Sequence, residues 1–225
     1  MEVIKSQDLP IAKVTGLIYG QPGAGKTTAL SNIIPKDGGK TLIIDIDNSS
    51  AVLRGITGID IIKIGLDMRK WVECVEWLED GADEDYALIC VDNLTELEHQ
   101  MLTEYGRLGK NDGAPELGHY NKTQFKIVDY VRRFRQMKPD ILFTAWEDVK
   151  EIISPDGTKY TMQVPRLSGK SVDVVSGLCN MVARIEMGKD ERFFRLEGTK
   201  MQYAKDQIYK RKFCSITNLL TGEVT

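Results

Sequence analysis

A glycine-rich octapeptide near the start of the sequence carries the pattern most specific for chemistry. It consists of Gly20, Gln21, Pro22, Gly23, Ala24, Gly25, Lys26 and Thr27, and Thr28 follows it. The spacing G-x-x-x-x-G-K-T is typical of a loop whose backbone N–H groups face phosphate oxygens, since glycines let the chain curl around them. In such a loop Lys26 reaches the β- and γ-phosphates and the Thr27 hydroxyl binds Mg²⁺. These nine residues are therefore the predicted phosphate site, and we expect Lys26 to lie outside the core.

Carboxylates end two apolar segments further along the chain. Asp92 follows the segment 86–91, and we predict that it holds Mg²⁺ through Thr27 or a water; the alternative is a cap for the helix starting at Asn93. Asp45 and Asp47 end the segment that begins at residue 41, and their spacing of two places both on one side at the top of a sheet. We predict that Asp47 activates the attacking water, with Asp45 as second choice. Alternatively, residues 47–49 only cap the next helix.

The elements that must position these groups alternate along the chain. Apolar, β-rich runs at 14–19, 41–46, 59–64, 86–91 and 141–145 are separated mostly by segments with helical spacing, such as 68–80 and 122–138. This alternation predicts a mainly parallel sheet covered by helices. Residues 151–154 and 159–164 predict a hairpin around Pro155-Asp156-Gly157, and 181–187 with 192–196 predict a second antiparallel pair. No linker divides the chain, so we predict a single domain over residues 1–225.

Composition excludes several classes of protein. The 225 residues are 42% hydrophobic and 28% charged, which is ordinary for a folded globular chain rather than a disordered or collagenous one. A net charge of -3 leaves nucleic-acid binding to local basic patches. Four cysteines without metal-ligand spacing indicate reduced structural thiols. No segment approaches the roughly 20 apolar residues of a membrane span, and the N-terminus lacks a signal peptide's apolar core, so we expect a cytoplasmic protein.

Together, these segments resemble the RecA-like ATPases, and in particular the small, core-only RecA-like proteins of phages that include single-strand-annealing recombinases. The resemblance rests on the glycine-rich loop, on the strand ends Asp45-Ile46-Asp47, Asp92 and Phe143-Thr144-Ala145-Trp146, and on later segments such as 167–170 and 203–206. It implies an α/β fold with a mainly parallel sheet, helices on both faces and an antiparallel C-terminal extension. It also implies ATP and Mg²⁺ as cofactors. A sensor strand is expected between the strand that precedes the loop and the strand that ends in Asp92.

Three departures from the family pattern affect the expected chemistry. Asp47 stands where the recombinases usually have Glu, and its shorter reach implies slow turnover or another base. Trp146 occupies the place of a sensing Gln, which leaves Thr144 and Glu147 as substitutes. We expect no N-terminal oligomerisation domain, and therefore expect any homo-oligomer to form through the core alone.

The resemblance also implies where single-stranded DNA and a neighbouring subunit would act. The two loops that face DNA in the family correspond here to residues 105–119 and 146–170. Their basic side chains are Arg107, Lys110, Lys150, Lys159, Arg166 and Lys170, and Tyr105, Tyr120 and Tyr160 offer stacking surfaces. Acidic residues in the same loops leave an ordinary solvated loop as an equal alternative. For a basic group that reaches the γ-phosphate of a neighbouring subunit, we predict Lys205 first and Lys200 second; either could also be an exposed lysine without a role.

The leading hypothesis is an ATP-dependent, RecA-like ATPase that acts on single-stranded DNA in phage recombination or replication. One alternative is a non-catalytic nucleotide-binding module that recruits other proteins, which would hold if Asp47 cannot activate water. The other is a small-molecule P-loop kinase. The hairpin 151–164 contains no Arg, whereas such kinases normally close an Arg-rich lid over the transferred phosphate, so the kinase is the weaker alternative.

Overall fold

One large sheet organises the protein, which a computed structural model describes over residues 4–8, 13–36 and 38–223. The strands are β1 (Thr15–Gly20), β2 (Thr41–Asp45), β3 (Ile59–Lys63), β4 (Leu88–Asp92), β5 (Asp140–Ile153), β6 (Lys159–Pro165), β7 (Met181–Met187), β8 (Arg192–Arg195), β9 (Lys205–Asp206) and β10 (Phe213–Ser215). Their order is β10-β8-β7-β1-β5-β4-β2-β3, while β6 pairs with β5 and β9 with β7. The strands from β7 to β3 in this order run parallel, so their carboxyl ends share one edge.

Helices cover both faces of this sheet. They are α1 (Lys26–Asn32), α2 (Met68–Glu79), α3 (Leu94–Leu108), α4 (Leu117–Phe134) and α5 (Ser171–Leu178), with 3-10 turns at Ser6–Asp8, Ser49–Leu53 and Ala82–Asp85. Helix α1, the turn Ser49–Leu53 and the C-terminal segment pack on one face, and α2 to α5 pack on the other. The segments 68–80 and 122–138, predicted from their helical spacing, form α2 and α4, and their apolar faces are buried there, where the Trp71 and Phe134 rings stack at 5.8 Å.

The antiparallel additions also follow the sequence predictions. The outer half of β5 pairs with β6 to form the predicted hairpin, and β7 pairs with β8. Strand β5 lies between β1 and β4, where the family resemblance expects a sensor strand. The four cysteines are buried free thiols, and burial raises the pKa of Cys74 and Cys179 to about 12. Within the described ranges, no helix is both long and apolar enough to cross a bilayer.

Candidate nucleotide site

The glycine-rich loop connects β1 to α1 at the carboxyl edge of the sheet. Strand β1 ends at Gly20, and α1 begins at Lys26. Gly23 and Gly25 have φ values of 79° and 88°, in the left-handed region that side chains other than glycine rarely adopt. The two glycines thus give the loop the curled backbone that the motif predicts.

Lys26 is more enclosed than the sequence suggests. It is only 7% exposed, although it lies outside the two hydrophobic clusters that form the core, as expected. Its Nζ donates hydrogen bonds to the carbonyls of Gly20 at 2.9 Å and Gln21 at 3.1 Å. Burial lowers the pKa of Lys26, while the nearby charges of Asp92 and Asp47 oppose that shift. The ammonium is therefore held inside the curve of the loop, where the motif places phosphate.

Asp92 is the polar centre of the site. It ends β4, is 2% exposed, and accepts hydrogen bonds from three hydroxyl groups. Thr27 donates at 2.6 Å and Ser49 at 3.2 Å to one carboxylate oxygen, and Thr144 donates to the other. Thr27 and Ser49 are themselves 3.0 Å apart. Asp92 and Thr27, the pair predicted to hold Mg²⁺, are therefore in direct contact.

The alternative role of Asp92 as a helix cap is wrong. Helix α3 begins at Leu94, and Asn93 is its N-cap, with its side-chain oxygen accepting from the Glu96 N–H at 2.8 Å. The Asn93 amide also donates to Asp47 at 2.6 Å. Asn93 follows the strand directly and caps the helix. The Asp92 carboxylate is therefore free to accept hydrogen bonds from the three hydroxyl groups.

The two carboxylates after β2 differ in their surroundings. Asp45 is fully buried, and its two oxygens accept the backbone N–H groups of Ser49 at 3.0 Å and Ser50 at 3.1 Å. Asp47 is half-buried and accepts from Ser49 N–H at 3.1 Å as well as from Asn93. Burial raises the pKa of Asp47, with the charges of Asp92 and Asp45 adding to the shift. Asp45 therefore fixes the turn Ser49–Leu53, and of the two only Asp47 is partly open to solvent.

The residues predicted as substitute sensors have separate environments on β5. Thr144 is fully buried on Asp92. Trp146 packs its ring edge-on against His99, with the centroids 5.7 Å apart. The Glu147 carboxylate pairs with the Arg184 guanidinium at 2.7 Å. Of the three, Thr144 is thus the one whose side chain contacts Asp92.

Helix α3 also fixes the base of the β5–β6 hairpin. The Thr95 hydroxyl donates to the Arg166 carbonyl at 2.9 Å and accepts the Trp146 N–H at 2.9 Å. One turn later, the Glu98 carboxylate accepts both the N–H and the hydroxyl of Ser168 at 2.9 Å. Both ends of the hairpin are therefore attached to the helix that starts beside Asp92.

The two segments predicted to face DNA contain more regular structure than expected. Helix α3 extends to Leu108 and α4 starts at Leu117, while β5 and β6 occupy most of 146–165. Four of the basic side chains form ion pairs at 2.8 to 3.8 Å, namely Arg107 with Glu104, Lys150 with Asp173, Lys159 with Glu151 and Arg166 with Asp148. Within the described residues, Lys110 and Lys170 form no ion pair and are exposed.

The lysines predicted to act on a neighbouring subunit lie away from their own phosphate loop. Lys205 pairs with Val182 of β7, and Val182 in turn pairs with Leu17 of β1. Leu17 lies three residues before Gly20, where the loop begins. It is half-buried, and burial lowers its pKa. Lys200 is exposed. Within the described residues, neither contacts the nucleotide site of its own chain, and their action on a neighbouring subunit stays a prediction.

The oxygen ligands present are suited to Mg²⁺. Among the described residues, no group of three or more His, Cys, Asp or Glu side chains could hold a metal ion alone. Mg²⁺ typically takes one or two carboxylates and completes its shell with water and substrate phosphates. Asp92 and the Thr27 hydroxyl offer such a partial set, so the ion would be held jointly by the protein and a bound nucleotide.

Two residues of this site were not predicted from the sequence. The Ser49 hydroxyl contacts both Thr27 and Asp92, and its place just after Asp47 was the only available signal. Arg192, the first residue of β8, donates from Nε to the Ala24 carbonyl of the loop at 2.8 Å. That contact joins residues 168 positions apart, and no local pattern indicates it.

Comparison with known proteins identifies the domain. A family model described as an AAA domain matches residues 12–208, which includes the loop and every strand from β1 to β9. No curated protein matches the chain. The match and the sheet confirm the predicted α/β, RecA-like P-loop NTPase fold.

Replacing Thr95 with Val should loosen the base of the β5–β6 hairpin. The variant keeps the side-chain shape but leaves the Trp146 N–H and the Arg166 carbonyl without their shared partner, at a cost of about 1–3 kcal/mol. Hydrogen exchange at the Trp146 amide should accelerate. Thr103→Val on the same helix removes an exposed hydroxyl that bonds only the His99 carbonyl, and is the control. Equal protection of the Trp146 amide in both variants would contradict this role of Thr95.

Proposed function

Because the chain belongs to this AAA domain family, we propose that it binds ATP at the loop Gly20–Thr28 and hydrolyses it. The contact between Thr27 and Asp92 at 2.6 Å is the observation that carries the proposal. The contact places Thr27, the loop residue that would bind the metal, against the Asp92 carboxylate at the end of β4. Hydrolysis of a Mg²⁺-nucleotide requires such an arrangement. Mg²⁺ held by these two residues would neutralise phosphate charge.

The other polar groups of the site have distinct roles in this proposal. Lys26 stabilises the charge of the β- and γ-phosphates. The Asp47 carboxylate accepts a proton from a water whose oxygen bonds to the γ-phosphorus, while the bond from that phosphorus to the bridging oxygen breaks and ADP leaves. Asn93 orients Asp47 through its 2.6 Å hydrogen bond. A carboxyl with a raised pKa is a stronger base than an ordinary one, which suits Asp47 to this step.

In its finer form, the proposal is a RecA-like ATPase of phage recombination or replication that acts on single-stranded DNA as a homo-oligomer. It rests on the resemblance, on the exposed Lys110 and Lys170, which form no ion pair with any residue that the structure describes, and on the exposed Tyr120 as a stacking surface. The ion pairs of the hairpin reduce the positive charge available for DNA. Attachment of the hairpin to α3 gives a physical connection between that surface and Asp92.

Replacing Lys26 with Met should remove ATP binding, because it deletes the ammonium while keeping the aliphatic stem that the buried site surrounds. We expect the Kd for ATP to rise by about 100-fold or more, the range of lost charge-assisted contacts of roughly 3 kcal/mol. Calorimetric titration measures this, with circular dichroism to check the fold. Lys40→Met, which removes an exposed lysine, is the control. Wild-type affinity in Lys26→Met would place the nucleotide elsewhere.

Replacing Asp47 with Asn should preserve ATP binding but lower kcat by about 10² or more, as the loss of a general base does. The wild-type kcat should fall as the pH falls through the raised pKa of Asp47, above the ordinary value of 3.8, because protonation removes the base. The variant should lack this dependence. Asp45→Asn should instead lower the free energy of unfolding, since Asp45 holds the turn after β2. If the non-catalytic alternative holds, wild type and Asp47→Asn will both release no phosphate.

Replacing Lys205 with Ala should leave ATP affinity of the isolated chain unchanged but remove any stimulation of phosphate release by single-stranded DNA. In the proposed oligomer, this lysine stabilises charge on the γ-phosphate of the neighbouring subunit. Mixing Lys205→Ala with Asp47→Asn should restore part of the activity, because some interfaces then pair an intact Asp47 with an intact Lys205. An undiminished rate on dilution to monomer would contradict action between subunits.

A further inference from the structure

The β7–β8 hairpin places an arginine against the outer side of the phosphate-binding loop. The Arg192 Nε donates to the Ala24 carbonyl at 2.8 Å, and a Cβ built on Gly25 would lie 2.8 Å from the same nitrogen. The backbone conformation favours glycine at this position, and a side chain there would displace the Arg192 guanidinium from this contact. In the described part of the chain, the two Nη groups of Arg192 have no hydrogen-bond partner.

A groove of about 330 Å³ opens beside this contact, between α1, the hairpin and the segment after β10. Its volume is within the range of small-molecule pockets. The polar side chains that line it are those of Thr28, Asn32, Glu191, Arg192, Ser215 and Thr217. The groove also reaches Gly25, so it is continuous with the loop.

We propose that this groove binds the nucleoside end of the nucleotide, with the planar Arg192 guanidinium against the base. The inference rests on the proposed function, since it assumes that the loop holds the phosphates. A nucleotide whose phosphates contact Lys26 and Thr27 extends from there to its sugar and base. The groove begins at Gly25 and Thr28, the residues that flank Lys26 and Thr27. Hydroxyl and amide groups suit the ribose hydroxyls and the polar edge of a base. A guanidinium stacks on aromatic rings through its flat face.

Calorimetric titration of Arg192→Ala with ATP and with inorganic tripolyphosphate, both with Mg²⁺, tests this assignment. Tripolyphosphate carries the phosphates without the nucleoside. We expect the Kd for ATP to rise roughly tenfold, which corresponds to about 1.4 kcal/mol, while the Kd for tripolyphosphate stays within about twofold. Arg195→Ala removes the same charge from the same strand, but Arg195 pairs with Glu186 at 3.2 Å, and this control should match wild type for both ligands.

The outcomes separate this inference from the proposed function. If wild type binds neither ligand, the proposed function fails, and the nucleoside groove fails with it. If wild type binds both and Arg192→Ala weakens both equally, the arginine acts on phosphate and the nucleoside assignment is wrong. Unchanged or tighter ATP binding in Arg192→Ala also overturns it. Arg192 is exposed, so the variant should fold like wild type.

Discussion

A carboxylate removed from water must be satisfied by hydrogen-bond donors, and Asp92 imposes this requirement at the carboxyl edge of the sheet. Its three hydroxyl partners come from the start of α1, the turn after β2 and the neighbouring strand β5. None of these segments is next to Asp92 in the sequence, so the buried charge fixes their relative positions. The glycine-rich loop, the turn after β2 and the carboxyl edge of the sheet are consequently held in fixed positions relative to one another.

Helix α3 extends this arrangement to the other side of the site. Asn93 bonds Asp47 at the start of the helix, and Thr95 and Glu98 bond the two ends of the β5–β6 hairpin within the next turn. A helix turn is rigid because its backbone hydrogen bonds are internal. A displacement of the segment that carries Asp92 would therefore move the hairpin base with it. Burial raises the pKa of Glu98, which is tolerable because Ser168 supplies two donors to its carboxylate.

The sequence could predict the glycine-rich loop from its motif and the acidic residues from the ends of strands. Asp47 and Asp92 lie near each other because carboxyl ends of neighbouring parallel strands meet at one edge, and the alternation of elements was enough to predict those strands. Ser49 and Arg192 could not be predicted in this way. Their contacts depend on how the turn after β2 and the β7–β8 hairpin pack against the loop. The spacing of residues along the sequence does not indicate this packing. The enclosure of Lys26 likewise depends on tertiary packing.

In the proposed function, the charges of the site explain why a nucleotide would need a cation there. Lys26 is near the carboxylates of Asp47, Asp92 and Glu147, and of these Glu147 is already paired with Arg184. Two unit charges 4 Å apart interact by about 4 kcal/mol at an effective dielectric constant of 20, so a polyphosphate placed beside Asp47 and Asp92 is repelled by them. One ammonium cannot offset both carboxylates and the phosphates. Mg²⁺ at Asp92 and Thr27 would convert that repulsion into attraction, because it places positive charge between the carboxylate and the phosphate oxygens. The negative charge of Asp47, which suits it to the proposed role of base, would thus also make nucleotide binding depend on the metal.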